Sequence, residues 1–231
     1  MIQIVQGHNH RLPDAEINVV IDVIRAFTVA HYAFIHGVKG MYLVKTTDEA
    51  FRLKANDPEI LLAGEIQGLA IPGFDLDNSP ARLREANLSG RTLIQKTTNG
   101  VEATLNSLNA EHIYVTGFSN ARTTSAWLRT LWKENLADMT MHLIASHPTG
   151  DEDLACAEFM AGVLLGEVEP TAQQTIRRIR GSEAAAKFFD PEQPAFSPED
   201  IELCALELDA GFVMKVNREN EIPMIEPVEV K

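Results

Sequence analysis

Cysteine is scarce in this sequence of 231 residues, where Cys156 and Cys204 are the only two. Two cysteines so far apart provide no disulfide framework, which is typical of a reducing compartment. Long apolar runs are also missing: no uncharged run approaches the roughly 18 residues that cross a membrane. Residues 1–10 lack the basic start and apolar middle of a signal peptide. We therefore expect a cytoplasmic protein that does not bind membranes.

Basic residues are outnumbered in this chain. Lysine and arginine total 20 against 33 aspartates and glutamates, which gives a formal net charge of −13 at pH 7. Because nucleic-acid binding depends on Lys and Arg displacing counterions from phosphates, and no basic stripe is present, we expect no nucleic-acid partner. A small anionic substrate is compatible with this charge if an arginine, a metal ion or a helix N-terminus supplies positive charge locally.

Several catalytic motifs are missing as well. No Gly-x-Gly-x-x-Gly follows a strand and no Walker loop is present, so nucleotide binding has no motif support. A haloacid-dehalogenase type phosphatase needs a second aspartate two positions after the first, but Ile24 follows Asp22 at that spacing. A cysteine phosphatase needs arginine six positions after its nucleophile, whereas Gly162 follows Cys156. A Ser-His-Asp triad stays open, although no Gly-x-Ser-x-Gly elbow is present.

What the sequence does contain is a repeated alternation of strand and helix patterns. Apolar runs over 17–21, 91–96, 112–117 and 141–145 each lead through a short polar or glycine-containing turn into a helical pattern. This alternation predicts an α/β fold, a three-layer α/β/α arrangement with a mostly parallel sheet. An amphipathic helix is predicted over 171–189, and two apolar segments after residue 211 predict a C-terminal β-hairpin. We expect 1–231 to form a single domain, or two closely packed lobes.

Polar side chains follow the strands of this predicted sheet. Asp22, Asn99, Asn120 and Asp153 stand next to four strand-to-helix turns. Because the turns after parallel strands lie along one edge of a sheet, these side chains are expected to converge. The alternative interpretation is that they only cap helices by accepting free backbone N–H groups. Four such positions together favour a polar site.

Carboxylates are the best candidates for metal ligands. Each of four lies beside a predicted turn: Asp22, Glu65, Asp75 and Asp153. Hard oxygen ligands of this kind suit Mg²⁺ or Mn²⁺ better than zinc. The sequence therefore predicts a divalent cation held by this carboxylate cluster.

Other side chains capable of metal binding or nucleophilic attack give weaker signals. His8, His10 and His147 have no third ligand at a metal spacing, so we interpret them as surface or structural residues. Cys156 follows Asp153 on a predicted helix, and we interpret it as a packed thiol rather than a nucleophile. These residues are not assigned to the predicted site.

Six short segments carry a resemblance to a known family. In chain order they are 20–26 (VIDVIRA), 63–65 (AGE), 73–80 (GFDLDNSP), 97–100 (TTNG), 119–120 (SN) and 152–157 (EDLACA). Together they resemble the 2-phosphosulfolactate phosphatase family, the Mg²⁺-dependent phosphohydrolases of coenzyme M biosynthesis and their bacterial relatives. The resemblance covers about residues 19–208, and it implies release of 3-sulfolactate and phosphate from a small anionic phosphoester.

The resemblance implies roles for the motif residues. The catalytic residues would be Asp22, Arg25, Glu65 and Asp153, with Arg25 clamping the phosphoryl group. The ligands or supports of Mg²⁺, or of Mn²⁺ in its place, would be Asp22, Glu65, Asp75 and Asp153, and the cation would activate the attacking water. Substrate binding would fall to Arg25, Asn78, Ser79, Thr98, Asn99, Gly100 and Asn120. Backbone N–H groups at helix starts contribute to this cradle because they favour anions.

Three positions depart from the family pattern. Arginine after Gly-Glu is replaced by Ile66, glycine before Asn-Ser-Pro by Asp77, and glycine after Cys-Ala by Glu158. Loss of a guanidinium would weaken recognition of a sulfonate or carboxylate, which leaves the physiological substrate open. Two alternatives stay open with it: a non-catalytic metabolite-binding protein of the same fold, and a different hydrolase on the same scaffold. The oligomeric state is also open, a homodimer included.

Overall fold

The computed structural model describes residues 1–8, 12–134 and 139–230, so His10 lies outside the described residues. The strands are β1 (Ile2–Gln6), β2 (Ile17–Ile21), β3 (Gly40–Leu43), β4 (Leu61–Ile66), β5 (Leu69–Ala70), β6 (Thr92–Lys96), β7 (His112–Thr116), β8 (Met141–Ala145), β9 (Phe212–Asn217) and β10 (Met224–Glu229). The helices are α1 (Ala26–Ile35), α2 (Thr47–Asn56), α3 (Pro80–Leu83), α4 (Gly100–Leu105), α5 (Phe118–Glu134), α6 (Asp151–Leu165), α7 (Ala172–Gly181), α8 (Glu183–Ala186) and α9 (Pro198–Cys204), with a 3-10 turn at Lys187–Phe189. No helix among the described residues has the length and apolar character needed to cross a bilayer.

The strands form one ten-stranded sheet in the order β1-β8-β2-β7-β9-β10-β3-β6-β4-β5. The four strands β1, β8, β2 and β7 pair in parallel. The strands β3, β6 and β4 form a second parallel group. These pairings confirm the α/β class and the mostly parallel sheet that the alternation predicts.

The C-terminal hairpin lies in the middle of this sheet. β9 pairs antiparallel with both β7 and β10, and β10 pairs antiparallel with β3. The prediction of a hairpin is thus confirmed, but its insertion reverses the strand direction three times, so the two parallel groups run in opposite directions. The prediction that the turns after the strands all lie along one edge of the sheet is therefore wrong for the sheet as a whole. Adjacent strands rotate by about 20–25°, and this twist accumulates over the five steps from β2 to β6.

Helices cover both faces of the sheet, which gives three layers. Val20 of β2 belongs to an apolar cluster that includes Phe27 of α1 and Val101 of α4. Its neighbours Val19 and Ile21 point to the other face, because successive strand residues alternate, and they join the cluster formed with α5 and α6. The α/β/α arrangement is built on this alternation.

The predicted helix over 171–189 is interrupted. α7 ends at Gly181, and the Ser182 hydroxyl accepts the Ala185 N–H at 3.2 Å to begin α8. A serine side chain that bonds nearby backbone groups competes with helix continuation, which explains the break. The 3-10 turn that follows α8 brings Lys187 to the wall of the cavity described next.

Candidate active site

A polar cavity of about 300 Å³ lies where the segments after β2, β4, β6 and β8 come together. It is lined by Asp22, Ile24, Arg25, Glu65, Gln67, Gly68, Asn78, Thr98, Asn99, His147, Pro148, Ala184, Lys187 and Phe188. We call this set the polar cavity. Six of the residues predicted for the site line it: Asp22, Arg25, Glu65, Asn78, Thr98 and Asn99.

Asp22 both caps a helix and faces the polar cavity. Its Oδ1 accepts the Ala26 N–H at 2.9 Å, at the start of α1, and its Oδ2 accepts the Ser146 hydroxyl at 3.3 Å. Burial raises the pKa of this carboxyl to about 7, and although the Ala26 N–H opposes the shift, the negative charges of Glu65 and Glu152 add to it. Capping and a functional role are thus not alternatives here, because each uses a different oxygen.

Asp153 lies behind Asp22 rather than at the cavity wall. Its Oδ1 accepts the Val23 N–H at 2.8 Å, and its Oδ2 accepts the Ser146 hydroxyl and the His147 N–H at 3.0 Å each. Burial, followed by the charges of Asp22 and Glu152, raises its pKa well above the usual value. Ser146 therefore bridges the two aspartates, which share its single hydroxyl proton, and Asp153 holds the turns after β2 and β8 together.

Glu65 joins two loops across the polar cavity. Its Oε1 accepts the Thr98 N–H at 2.5 Å, and its Oε2 accepts the Thr98 hydroxyl at 3.1 Å together with the Gly68 N–H. The Gln67 N–H donates to the Thr98 hydroxyl at 3.0 Å. The β4–β5 turn and the β6–α4 turn are thereby fixed to one another at a single carboxylate.

Arg25 is held from behind by a partner that the sequence does not reveal. Its Nη1 donates to Asp200 Oδ2 at 2.7 Å and its Nη2 donates to the Gly68 carbonyl at 2.9 Å, with only 4% of the Arg25 side chain exposed. Asp200 also accepts the Ser79 hydroxyl at 2.6 Å. Asp200 lies in the first turn of α9, where an acidic residue resembles an ordinary helix-start residue.

Asn78 and Ser79 are adjacent in the sequence, but only one of them faces the polar cavity. The Ser79 hydroxyl accepts the Arg82 N–H to cap α3 and donates to Asp200, and Ser79 does not line the polar cavity. Asn78 does line it, and its buried Oδ1 has no hydrogen-bond partner among the described residues. Asn78 is the member of this pair that a ligand can reach.

Gly100 lets α4 approach Asp22 closely. A Cβ at this position would lie 2.7 Å from Asp22 Oδ2 and 2.9 Å from the Ala26 Cβ, so a side chain there would displace both. The preceding Asn99 makes no capping bond through its side chain and lines the polar cavity. This contact also shows that the carboxyl ends of β2 and β6 meet despite their opposite directions.

Two of the predicted site residues lie elsewhere. Asp75 Oδ2 accepts the Leu62 N–H at 2.8 Å and forms an ion pair with Lys54. It therefore points toward β4 and α2, away from the polar cavity. Asn120 is fully buried in the first turn of α5 and does not line the cavity either.

The four predicted carboxylates do not meet around one point. Neither Asp75 nor Asp153 lines the polar cavity. Among the described residues, no three His, Cys, Asp or Glu side chains form a group that could hold a metal ion by themselves. Asp22 and Glu65 remain, and this pair fits Mg²⁺, which commonly binds to one or two carboxylates plus waters and substrate phosphates.

Comparison with known proteins identifies the family. The sequence model described as 2-phosphosulpholactate phosphatase matches residues 2–218.

The chain belongs to the 2-phosphosulpholactate phosphatase family.

Its relatives carry the same description. A "Probable 2-phosphosulfolactate phosphatase" of Bacillus subtilis is 54% identical over 227 residues, which cover 98% of each chain. One of Thermus thermophilus is 30% identical over 225 residues, covering 96% of this chain and 87% of the relative. Another, of Caldicellulosiruptor saccharolyticus, is 40% identical over 110 residues, covering 48% of this chain and 46% of the relative.

The three departures from the family pattern lie outside the polar cavity. Ile66 is 45% exposed. Asp77 accepts the Ser79 N–H and pairs with Arg82, and Glu158 pairs with Arg178. None of the three lines the polar cavity, so they give no structural support to a degraded pocket.

Several residues of the site escape sequence analysis. His147, interpreted above as surface or structural, lines the polar cavity, as does Lys187, while Ser146 and Asp200 support it from behind. Ser146 and His147 directly follow β8, so their place after a strand could have drawn attention to them. Cys156 is fully buried, and burial raises the pKa of its thiol well above the usual value, which supports a packed thiol.

Proposed function

We propose that this chain hydrolyses 2-phosphosulfolactate, with Mg²⁺ bound beside Asp22 and Glu65. Family membership and the names of its relatives support the reaction. The observation that carries the proposal is the charge arrangement of the polar cavity. A buried Asp22 with no cationic partner among the described residues shares this cavity with the buried guanidinium of Arg25.

The proposed reaction breaks the phosphate ester bond with water. The water oxygen attacks phosphorus, the bond between phosphorus and the ester oxygen breaks, and that oxygen takes up a proton. The products are 3-sulfolactate and inorganic phosphate. The water provides the oxygen of the new P–O bond and the proton that the leaving oxygen takes up, so no further reactant is needed.

Arg25 is the proposed phosphoryl clamp. Two of its five N–H donors are occupied by Asp200 and the Gly68 carbonyl, which fix the plane of the guanidinium. The remaining donors have no hydrogen-bond partner among the described residues and are proposed to bind phosphate oxygens with charge-assisted hydrogen bonds. Because the arginine is held before substrate arrives, little side-chain entropy is lost on binding.

Neutral polar groups complete the proposed substrate site. The amides of Asn78 and Asn99 line the polar cavity, and the unpartnered Asn78 Oδ1 is available to a ligand or its water. His147 Nδ1 accepts the Thr149 N–H at 3.2 Å, so the neutral ring carries its proton on Nε2. That N–H is proposed to donate a hydrogen bond to the ester oxygen as it leaves, while the proton that this oxygen takes up comes from the attacking water.

The proposed ligands of Mg²⁺ are Asp22 and Glu65, with Mn²⁺ able to take its place. The cation, when bound, neutralises phosphate oxygens and lowers the pKa of water, which favours attack on phosphorus. Burial first, and then the negative charges of Glu65 and Glu152, raise the pKa of Asp22, and a cation bound at this carboxylate would offset both. Asp153 is proposed to orient the site through Ser146 rather than to bind the metal.

The test is phosphate release from 2-phosphosulfolactate by the full chain. We expect turnover with Mg²⁺ or Mn²⁺, loss of turnover in EDTA, and recovery when metal is added back. Unchanged turnover in EDTA would contradict the metal. Hydrolysis of other phosphate monoesters without this one would instead favour a different hydrolase. A rise in melting temperature with the substrate but no phosphate release would favour the non-catalytic alternative.

A further inference from the structure

Two cations line the polar cavity and lie over the rings of Phe188 and Phe196, but among the described residues only one of the two forms an ion pair. Arg25 is paired with Asp200 and anchored to the Gly68 carbonyl. Lys187 has no carboxylate within ion-pair distance and no hydrogen bond to its ammonium among the described residues. Its Nζ instead lies 4.7 Å from the ring centre of Phe196 and 5.7 Å from that of Phe188.

The surroundings of Lys187 leave its ammonium available to a ligand. The two aromatic rings attract the cation through their faces but accept no conventional hydrogen bonds. An ammonium carries three N–H donors, and half-burial limits how many of them water can satisfy. The acidic groups that act on it, Glu65 and Glu152, do so at longer range than an ion pair. A small anion in the polar cavity would therefore meet a cation that is not already neutralised.

The charged groups of the polar cavity come from different parts of the chain. Asp22 and Glu65 form its acidic side and follow β2 and β4. Lys187 comes from a different part of the chain, the 3-10 turn after α8. A phosphate bound with a cation at the acidic carboxylates would leave Lys187 for another anionic group of the same molecule.

We propose that Lys187 binds a second anionic group of the substrate, a carboxylate or sulfonate on the carbon skeleton that carries the phosphate ester. This inference rests on the proposed phosphatase function. It makes Lys187 a specificity-determining residue, which distinguishes phosphoesters with an additional anion from those without one. Arg25 serves the phosphoryl group, and Lys187 serves the remainder of the molecule.

The experiment compares three phosphoesters in the full-length protein with Lys187→Gln, Lys187→Arg and the exposed-lysine control Lys45→Gln. The esters are 2-phosphosulfolactate, 2-phospholactate with the carboxylate alone, and p-nitrophenyl phosphate with neither group. We expect Lys187→Gln to raise KM for 2-phosphosulfolactate about 10- to 100-fold, since a charged hydrogen bond is lost. The change for p-nitrophenyl phosphate stays below about 3-fold, Lys187→Arg restores much of the loss, and Lys45→Gln behaves as wild type.

The second ester identifies which anion Lys187 contacts. An equal loss for 2-phosphosulfolactate and 2-phospholactate assigns the contact to the carboxylate, whereas a loss for 2-phosphosulfolactate alone assigns it to the sulfonate. An equal loss on all three esters would mean that Lys187 holds the reacting phosphoryl group, which overturns the proposal. No loss on any ester would mean that Lys187 only packs on the phenylalanines, which overturns it as well.

A binding measurement separates this inference from the proposed function. If the wild-type chain releases no phosphate from any ester, the phosphatase proposal fails, and titration calorimetry with 3-sulfolactate tests Lys187 alone. Binding that weakens about 10- to 100-fold in Lys187→Gln supports the anion site. Equal binding by both proteins, or no binding by the wild type, overturns it. Melting curves of both Lys187 variants verify that each is folded.

Discussion

The polar cavity and a second hollow beside it contain similar residues but have different electrostatics. The second hollow, which we call the outer hollow, is lined by Asp75, Leu76, Asp77, Ser79, Arg82, Leu83, Glu85 and Ala86. Its aspartates are neutralised: Asp75 pairs with Lys54 and Asp77 with Arg82. In the polar cavity Asp22 is only 5% exposed and has no such partner among the described residues.

The motif at 73–80 runs through both places. Asp75 and Asp77 of this motif belong to the outer hollow, whereas Asn78 belongs to the polar cavity. The fold therefore places neighbouring residues of one sequence motif in two different cavities. What distinguishes a candidate functional carboxylate here is burial without a compensating cation, a feature typical of functional sites.

The largest expected effect tests this division with two aspartates of the same predicted role. Asp22→Asn should lower kcat/KM for 2-phosphosulfolactate by about 100-fold or more, because it removes a proposed metal ligand at the cavity wall. Asp75→Asn should change it by less than about 3-fold, because Asp75 is already paired outside the cavity. The measurement is phosphate release at saturating Mg²⁺. Equal losses of kcat/KM in the two variants would contradict the distinction between the polar cavity and the outer hollow.

The second-largest expected effect is on the free energy of unfolding, and it compares an ion pair at the polar cavity with one at the outer hollow. Asp200→Ala should lower the free energy of unfolding by about 3–5 kcal/mol, because it leaves the buried Arg25 without its partner. Arg82→Ala should lower it by about 1 kcal/mol or less, since 52% of the Arg82 side chain is exposed and salt and water screen its pair with Asp77.

Melting temperature measures the difference between these two variants. With about 2–4 °C for each kcal/mol in a chain of this size, Asp200→Ala should melt well below Arg82→Ala. Similar shifts in the two proteins would mean that the Arg25–Asp200 pair is no more important than a surface pair.

The smallest effect is a pH dependence of stability, with opposite signs in the two regions. The pKa of folded Asp22 is about 7, above its ordinary value of 3.8, because of burial and then the nearby carboxylates. The folded state then holds more protons than the unfolded state between these values, so this group lowers stability as pH rises from about 4 to 7. In EDTA at pH 8, Asp22→Asn should melt several degrees above the wild type, with the difference vanishing near pH 4.

Asp75 is the matched control for this measurement. Burial opposes the shift, but the Leu62 N–H and Lys54 outweigh it and lower the Asp75 pKa. Its contribution to stability is therefore favourable at pH 8 and is lost as pH falls below its ordinary value of 3.8. Asp75→Asn should melt slightly below the wild type at pH 8. A higher melting temperature for Asp75→Asn, or a lower one for Asp22→Asn, would contradict the assignment of charges.

Much of the fold is predictable because its signals are local. The strand that ends before Asp22 and the one that precedes Thr98 are apolar runs followed by turn residues, and strand and helix periods appear directly in such runs. The family resemblance locates Arg25, Asn78 and Thr98 at the polar cavity, and the same local logic locates Asp22, Glu65 and Asn99 there. It fails for Asp75, which follows the right kind of pattern but finds Lys54 on a neighbouring helix.

The sequence by itself determined the alternating elements, the family and the short polar turns that border the polar cavity, because each is encoded within a few consecutive residues. Only the tertiary structure decided which turns meet and which charges are compensated. Arg25 and Asp200 are 175 residues apart, the hairpin β9–β10 separates the two parallel groups, and Lys187 reaches the cavity through a break after α7. Burial and ion pairing depend on distances between segments far apart in the chain, and a local pattern contains no information about those distances.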